Sequence, residues 1–596
     1  MLAEHISRLK PVLLLRSVGR TINRTPAQVD YDNRSPPSNA DLEKPPHERS
    51  MPIFVLLATL AVALLYIGLL SWYLPIDGFW AGDQGAKLVQ VQTLLRSNYR
   101  DLALPYPGAT IDPAGAFSPV TVMFSWPVGE RSYSIYSYAH ASLTTIPYAL
   151  FGQFGLHVIP VIAILATMVT AAAISRRLAV RPNWLVPLAI GLTTPLSFYA
   201  LVFWEHALAV CLTTLAVFCM LKAREDNRPA WALMGGLAIG LGYWMRNEII
   251  LFAPALFIGL VAAGGQRRLQ YACVCGLIAG ITPLLLFNTF LFGLPLGPDV
   301  AINFTMADQS TLKGLLEVRL PVMSRLLLDV PDRLWLSVPI VLFALLASFP
   351  LPRVRPWLMV CMAIAIFFGI YNTQPMDVRI GLASTSPLVL LALPVRAHND
   401  PERSALRLLI VTTLVYGAGV LLTAPNDGGY AWGPRYLLPV VPLLSVLSIS
   451  AITTLLRSSH GFQRWITVGA VVLLLVGSTW IQYRSVYLLH QSASHIQRIV
   501  RSVDAQNQRI ILTDMWYAPQ LLGPLYLDRL MFFAARPGQI AELSLAFKQH
   551  HISRLSYVTG QQWWQDEQTL RQAHLVCSSV EKLPMSLELL DCRVAR

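Results

Sequence analysis

Apolar residues run along this chain in blocks of about 20, separated by short polar turns. A helix of roughly 20 residues crosses the ~30 Å hydrocarbon layer of a bilayer. Such blocks occupy about 52–74, 157–175, 183–203, 206–222, 230–245, 249–264, 270–292, 336–351, 357–371, 380–395, 406–424, 437–456 and 465–483. The pattern predicts an α-helical polytopic membrane protein with about 13 transmembrane helices. Ser134–Gly152 also has the length of a span. Its tyrosines at 136, 138 and 148 favour the membrane–water boundary, so it reads as a re-entrant or interfacial helix.

The polar remainder falls into four parts. Residues 1–50 contain Pro26, Pro36, Pro37, Pro45 and Pro46 and little apolar content. They read as a flexible cytoplasmic tail, with the first span as an uncleaved anchor. A long first loop covers 75–156, within a transmembrane region of 51–484, and a second loop covers about 293–335. The last part, 485–596, alternates helix-like stretches (Ser492–Gln506, Gln539–His550) with strand-like ones (Arg509–Leu512, Arg554–Val558). It is expected to form a small α/β C-terminal domain.

Charge sets the orientation. Only 13% of the residues are charged, against about a quarter in soluble chains. Alternate turns hold Arg176, Arg177 and Arg181; Lys222, Arg224 and Arg228; Arg267 and Arg268; Arg353 and Arg355; Arg396, Arg403 and Arg407; and Arg457 and Arg464. The opposite short turns hold only Arg246, Arg379 and Arg435. This asymmetry places the first set in the cytoplasm and, with an odd number of spans, the C-terminus outside. The net charge of +13 is then orientation charge. No basic patch with interleaved aromatics is present, so a nucleic-acid partner is not expected.

Five of the seven cysteines lie in apolar blocks. Cys577 and Cys592 lie in two strand-like segments, about 574–581 and 587–594, placed symmetrically about a turn near Pro584. They form either a cross-strand disulfide, in an oxidising compartment, or two buried thiols. No metal-ligand spacing such as C-x2-C occurs.

Ionisable residues at the outer ends of spans carry the chemical signal, because a charge near the bilayer is costly unless partnered or functional. Asp83, in Trp80-Ala81-Gly82-Asp83-Gln84-Gly85, precedes a helix-like Ala86–Leu95. It could cap that helix or serve as a general base. Glu205 and His206 share a tight apolar turn, where a Glu would also suit the helix dipole. Arg246 and Glu248 occupy the next outer turn, to pair with each other or to bind a ligand. The most distinctive segment is Asp427–Tyr436 (DGGYAWGPRY). In it Tyr430, Trp432 and Tyr436 could hold a lipid or stack on a sugar, and Arg435 offers planar donors to a phosphate. Arg379 is a second outer cation.

These parts suit transfer of a sugar from a polyprenyl phosphate. The leaving group is already a stable anion and needs cations more than a general acid. The acceptor hydroxyl needs a base, and in-line attack would invert the anomeric centre.

The chain resembles the GT-C superfamily of membrane glycosyltransferases, in the branch of protein mannosyltransferases and aminoarabinose transferases. The resemblance rests on Gly82-Asp83-Gln84-Gly85, the stretch Ile135–Gly152, Trp204-Glu205-His206, the Gly235–Arg246 span with Glu248 after it, and Trp432-Gly433-Pro434-Arg435-Tyr436-Leu437-Leu438-Pro439. It covers about residues 50–485. It implies that Asp83 is the catalytic base, that the outer loops hold lipid phosphate, and that the acceptor is a lipid, glycan or protein. Some relatives carry two acids in the first loop separated by one residue; here the positions two residues either side of Asp83 are Gly85 and Ala81. No metal or other cofactor is therefore expected, although Glu205 could supply a second carboxylate. A bacterial inner membrane is the expected location. A transporter or flippase of a lipid-linked sugar, or a glycan polymerase or ligase, are the alternatives.

Overall fold

The computed structural model describes residues 53–178, 180–305, 314–349, 353–374, 377–392, 400–561 and 572–595. The expected N-terminal tail, 1–50, lies outside them, as do the ends of the 336–351 and 380–395 blocks.

Among the described residues, nine helical stretches are long and apolar enough to cross a membrane. The first, Ile53–Tyr73, opens with helix α1 (Ile53–Gly68). Two expected spans are not continuous helices. The block at 183–203 is two helices, Leu185–Thr193 and Leu196–Leu201, parted by an extended Thr194. The block at 380–395 is a short helix, Leu382–Thr385, and a 3-10 turn, Pro387–Ala392, parted by Ser386. Both breaks have one cause. Thr194 and Ser386 each precede a proline, whose ring drives the preceding residue out of helical backbone geometry. Hydrophobicity alone does not register this.

Three elements shape the first loop. Helix α2 (Gly82–Arg96) follows the first span. A hairpin of β1 (Ser125–Val128) and β2 (Arg131–Ser134) leads into helix α3 (Tyr138–Phe151). Helix α3 occupies most of the stretch expected to lie at the interface.

The helix Gly461–Ala505 runs unbroken for 45 residues and has no internal proline. At 1.5 Å per residue it is about 68 Å long, more than twice the hydrocarbon thickness. The boundary expected at 484/485 lies inside it. Its far end carries a lobe with a five-stranded sheet in the order β4-β3-β5-β7-β6. The strands are β3 (Ile510–Thr513), β4 (Leu530–Phe533), β5 (Arg554–Thr559), β6 (Leu575–Lys582) and β7 (Glu588–Val594). β3 pairs in parallel with β4 and β5, whereas β7 runs antiparallel to β5 and β6. Cys577 and Cys592 are direct cross-strand partners and form a disulfide.

The lobe is fused to the first loop. Leu88, Val89 and Val91 of α2 share one buried cluster with Ile496, Ile499 and Val503 of the long helix and with Leu521, Tyr526 and Leu589 of the lobe. Contact is closest at Gly85. A Cβ there would lie 1.7 Å from the Gln520 carbonyl oxygen, and one on Gly523 would lie 2.6 Å from the Gly85 oxygen. Backbone presses on backbone, so no side chain can turn aside. Gly85→Ala is expected to lower stability by about 1–3 kcal/mol, the usual cost of overpacking. Thermal unfolding of the purified protein measures it, and an unchanged midpoint would contradict this packing.

Candidate active site

Helix α2 begins without a capping hydroxyl or carboxylate. Instead, Gln84 reaches back, and its Oε1 accepts hydrogen bonds from the backbone N–H of Trp80 (2.7 Å) and Ala81 (3.2 Å). The capping role open to Asp83 in the sequence is thus taken by its neighbour. Asp83 Oδ2 accepts a hydrogen bond from Trp204 Nε1 at 2.9 Å. Its Oδ1 is buried with no hydrogen-bond partner among the described residues.

Glu205 likewise makes no side-chain cap to the helix it precedes, His206–Asp226. Its Oε2 receives Lys87 Nζ at 2.8 Å and its Oε1 receives Arg246 Nη1 at 3.2 Å. Arg246 Nε also donates to Glu248 Oε1 at 3.0 Å. Burial alone would raise the Glu205 pKa, but the positive charges of Lys87 and Arg246 outweigh it and hold the carboxyl well below its ordinary range. Glu205 is therefore a fixed carboxylate that organises cations, and a poor proton acceptor. His206 is buried beside Tyr199 and Trp204, and neither ring nitrogen has a hydrogen-bond partner among the described residues.

The Asp427–Tyr436 segment reaches the same place from the other half of the chain. Trp80 Nε1 donates to the Tyr430 carbonyl at 2.9 Å, and the two rings stack 4.6 Å apart. This ties the first loop to the segment before the Val441–Ser458 helix. Arg435 Nη2 donates to Tyr436 Oη at 3.2 Å, and Tyr436 Oη donates to Asn426 Oδ1 at 3.0 Å. Gly428, at φ +100°, lets the chain turn close over Arg435; a Cβ there would sit 3.1 Å from Arg435 Cγ. Arg246 is matched by two carboxylates. Arg435 has no carboxylate within salt-bridge distance among the described residues, and its Nε is buried without a partner.

These residues line one cavity of about 1540 Å³. Asp83, Glu205, His206, Arg246, Glu248, Tyr430, Arg435 and Tyr436 all reach it. Leu208, Leu212, Leu241, Leu284 and Phe287 form an apolar wall that continues down the spans. None of the arginine-rich turns lines it. Those turns meet one another elsewhere: Arg177 pairs with Glu225 at 2.6 Å, Arg268 donates to the Asn227 carbonyl at 3.0 Å, and Arg457 to the Arg181 carbonyl at 3.2 Å.

Two expected site residues do not line the cavity. Arg379 is fully buried and donates to the Ser384 carbonyl (3.3 Å) and Thr373 Oγ1 (3.0 Å). Its own carbonyl accepts the Gly433 N–H at 2.7 Å, so it braces the distinctive segment from behind. Trp432 is also fully buried, and its Nε1 donates to Gln482 Oε1 at 3.1 Å. It anchors that segment to the long helix and offers no face to a ligand.

Other lining residues were not singled out by the sequence. Lys87 lies one helical turn from Asp83, and that spacing was the available cue. Tyr136 lies under the Lys87 ammonium, 4.5 Å from its ring centre. Burial raises the Tyr136 pKa, as do the charges of Asp83, Glu205 and Asp299, with Arg435 opposing. The first loop, Asp299 and Arg435 thus act on one hydroxyl. Asp299 accepts from Asn247 Nδ2 at 2.6 Å, and burial raises its pKa too, with Arg246 opposing. Trp516, Tyr517 and Gln520 come from the lobe.

The helix arrangement has counterparts among solved structures. The chain superposes on ArnT from Cupriavidus metallidurans bound to undecaprenyl phosphate with a TM-score of 0.52, at 12% identity, covering 91% of this chain and 98% of that one. The two chains share a fold. The apo state of the same ArnT gives a TM-score of 0.51 at 12% identity, over 90% and 97% of the two chains. The family described as dolichyl-phosphate-mannose-protein mannosyltransferase matches residues 138–292. That stretch runs from α3 to the end of the Arg267–Phe292 helix and includes Glu205, His206, Arg246 and Glu248. A comparison with curated protein sequences finds no match.

Proposed function

We propose that the chain is a glycosyltransferase that moves a sugar from a polyprenyl phosphate to a hydroxyl acceptor at the outer surface of a bacterial inner membrane. A GT-C fold does not by itself fix an activity. The single observation that carries the reading is the pairing, in one cavity, of an Asp83 Oδ1 without a hydrogen-bond partner and an Arg435 without a neutralising carboxylate among the described residues.

Each part has a task. The apolar wall receives the lipid tail. Arg435 binds the phosphate as it leaves, with Tyr436 holding the guanidinium. Asp83 takes the proton of the acceptor hydroxyl as that oxygen attacks the anomeric carbon. The bond from that carbon to the phosphate oxygen breaks on the opposite face, and the configuration inverts. Trp204 steadies the base through its N–H, and Glu205 holds Lys87 and Arg246 in place. The acceptor, whether lipid, glycan or protein, enters beneath the lobe, beside Trp516 and Tyr517.

The full chain in liposomes, given a polyprenyl-phosphate-linked sugar and a panel of hydroxyl acceptors, is expected to release free polyprenyl phosphate in step with glycosylated product. Movement of intact donor across the bilayer without such release would show a flippase instead.

A further inference from the structure

Lys87 has no assigned part in the proposed reaction, yet it occupies the centre of the charge cluster. It is 3% exposed. Its Nζ lies 2.8 Å from Glu205 Oε2 and 3.7 Å from Asp83 Oδ2, with the Tyr136 ring on another side. A buried ammonium is costly unless charge and hydrogen bonds compensate it. Here two carboxylates and an aromatic face do so. The arrangement follows from helix geometry. Residues 83 and 87 are one turn apart and share a face of α2, whereas residue 85 points to the other side. That other side is closed, because the Gln520 carbonyl already lies where a Cβ of residue 85 would be. A second acid at 85 can neither fit nor face the cavity. Moreover, among the described residues no three His, Cys, Asp or Glu side chains are grouped as a metal ion would require.

We propose that Lys87 is a positioning residue that supplies the fixed positive charge of this site. Its ammonium ties Asp83 to the Glu205–Arg246 pair, in the place where a divalent cation would bridge the carboxylates, so that transfer proceeds without one. The proposal rests on the reading of Asp83 as general base. Besides Lys87 on its own helix, the cavity that Asp83 enters is lined by Tyr136, Glu205, His206, Arg246, Glu248, Asp299, Arg435 and His495, among other titratable groups. Lys87 is the cation nearest to the base.

Two readouts on the full chain in nanodiscs test this. The first requires no substrate. Thermal midpoints are measured for Lys87→Met, Glu205→Gln and the double variant. Removing one member of a buried pair strands the other, whereas removing both does not. The double variant is therefore expected to melt no lower than the worse single variant, and strictly additive losses would overturn the proposal. The wild-type midpoint is expected to be the same in EDTA and in excess MnCl2. A Mn2+-dependent rise that Glu205→Gln abolishes would also overturn it. The second readout is transfer from a polyprenyl-phosphate-linked sugar. Wild-type rate is expected to be indifferent to EDTA. Lys87→Met is expected to lose about 100-fold in kcat, as a base displaced by about 1 Å does. KM for the donor should change little, and Lys87→Arg should restore part of the rate. A Lys87→Met enzyme with wild-type kcat would overturn the proposal. If Asp83→Asn retained full transfer, the base assignment would fail, and the melting experiment would still decide the role of Lys87.

Discussion

Asp83→Asn is expected to reduce sugar transfer by about 10²–10⁴-fold, the usual contribution of a positioned general base. The change is close to isosteric. The Asn side-chain oxygen can still accept the Trp204 N–H that now reaches Oδ2 at 2.9 Å. Lys87 keeps its shorter contact, 2.8 Å to Glu205. Gln84, not Asp83, caps the helix, so α2 starts as before. The fold and the donor site should therefore survive while proton acceptance is lost. The measurement is kcat for glycosylated product beside the affinity for polyprenyl phosphate. A fall in kcat with unchanged donor affinity is expected. Near-normal turnover would remove Asp83 from the chemistry.

Arg435→Leu is expected to act on the donor. Hydrogen bonds to a charged partner contribute about 1.5–3 kcal/mol each, so affinity for polyprenyl phosphate should fall roughly 10- to 150-fold. Arg435 is a cleaner test than Arg246. Removing Arg246 would strand Glu205 and Glu248, and folding would suffer along with binding. Arg435 leaves no carboxylate behind. Its loss costs one hydrogen bond to Tyr436, which keeps its bond to Asn426. Arg435→Lys should recover part of the affinity, since an ammonium keeps the charge but not the planar fork. Unaltered donor binding in Arg435→Leu would place the phosphate elsewhere.

The sequence made most spans readable as long apolar runs, including Arg267–Phe292, which stays helical through Pro283. It did not reveal the interruptions at Thr194–Pro195 and Ser386–Pro387, where local backbone sterics override a continuous hydrophobic run. The end of the last span was read near 483 from the change in polarity. The helix itself continues to Ala505, because its second half exchanges lipid for the lobe as a packing partner. Site residues were legible through sidedness. Each of Asp83, Glu205, Arg246 and Arg435 lies away from the arginine-rich turns, and all reach the cavity. Arg379 and Trp432 have the same sidedness but are rotated into the protein, and rotation about a short irregular segment leaves no trace in composition. The contribution of the lobe through Trp516 and Gln520 was not legible, because it depends on contacts between segments more than 400 residues apart, such as Gln520 with Gly85.

The most direct measurement is a structure of the full chain with undecaprenyl phosphate bound. The phosphate oxygens are expected within about 3 Å of the Arg435 guanidinium nitrogens, the prenyl tail against Leu212 and Leu284, and Asp83 across the same cavity. A phosphate seated instead near Arg177, Arg268 or Arg457 would contradict the site.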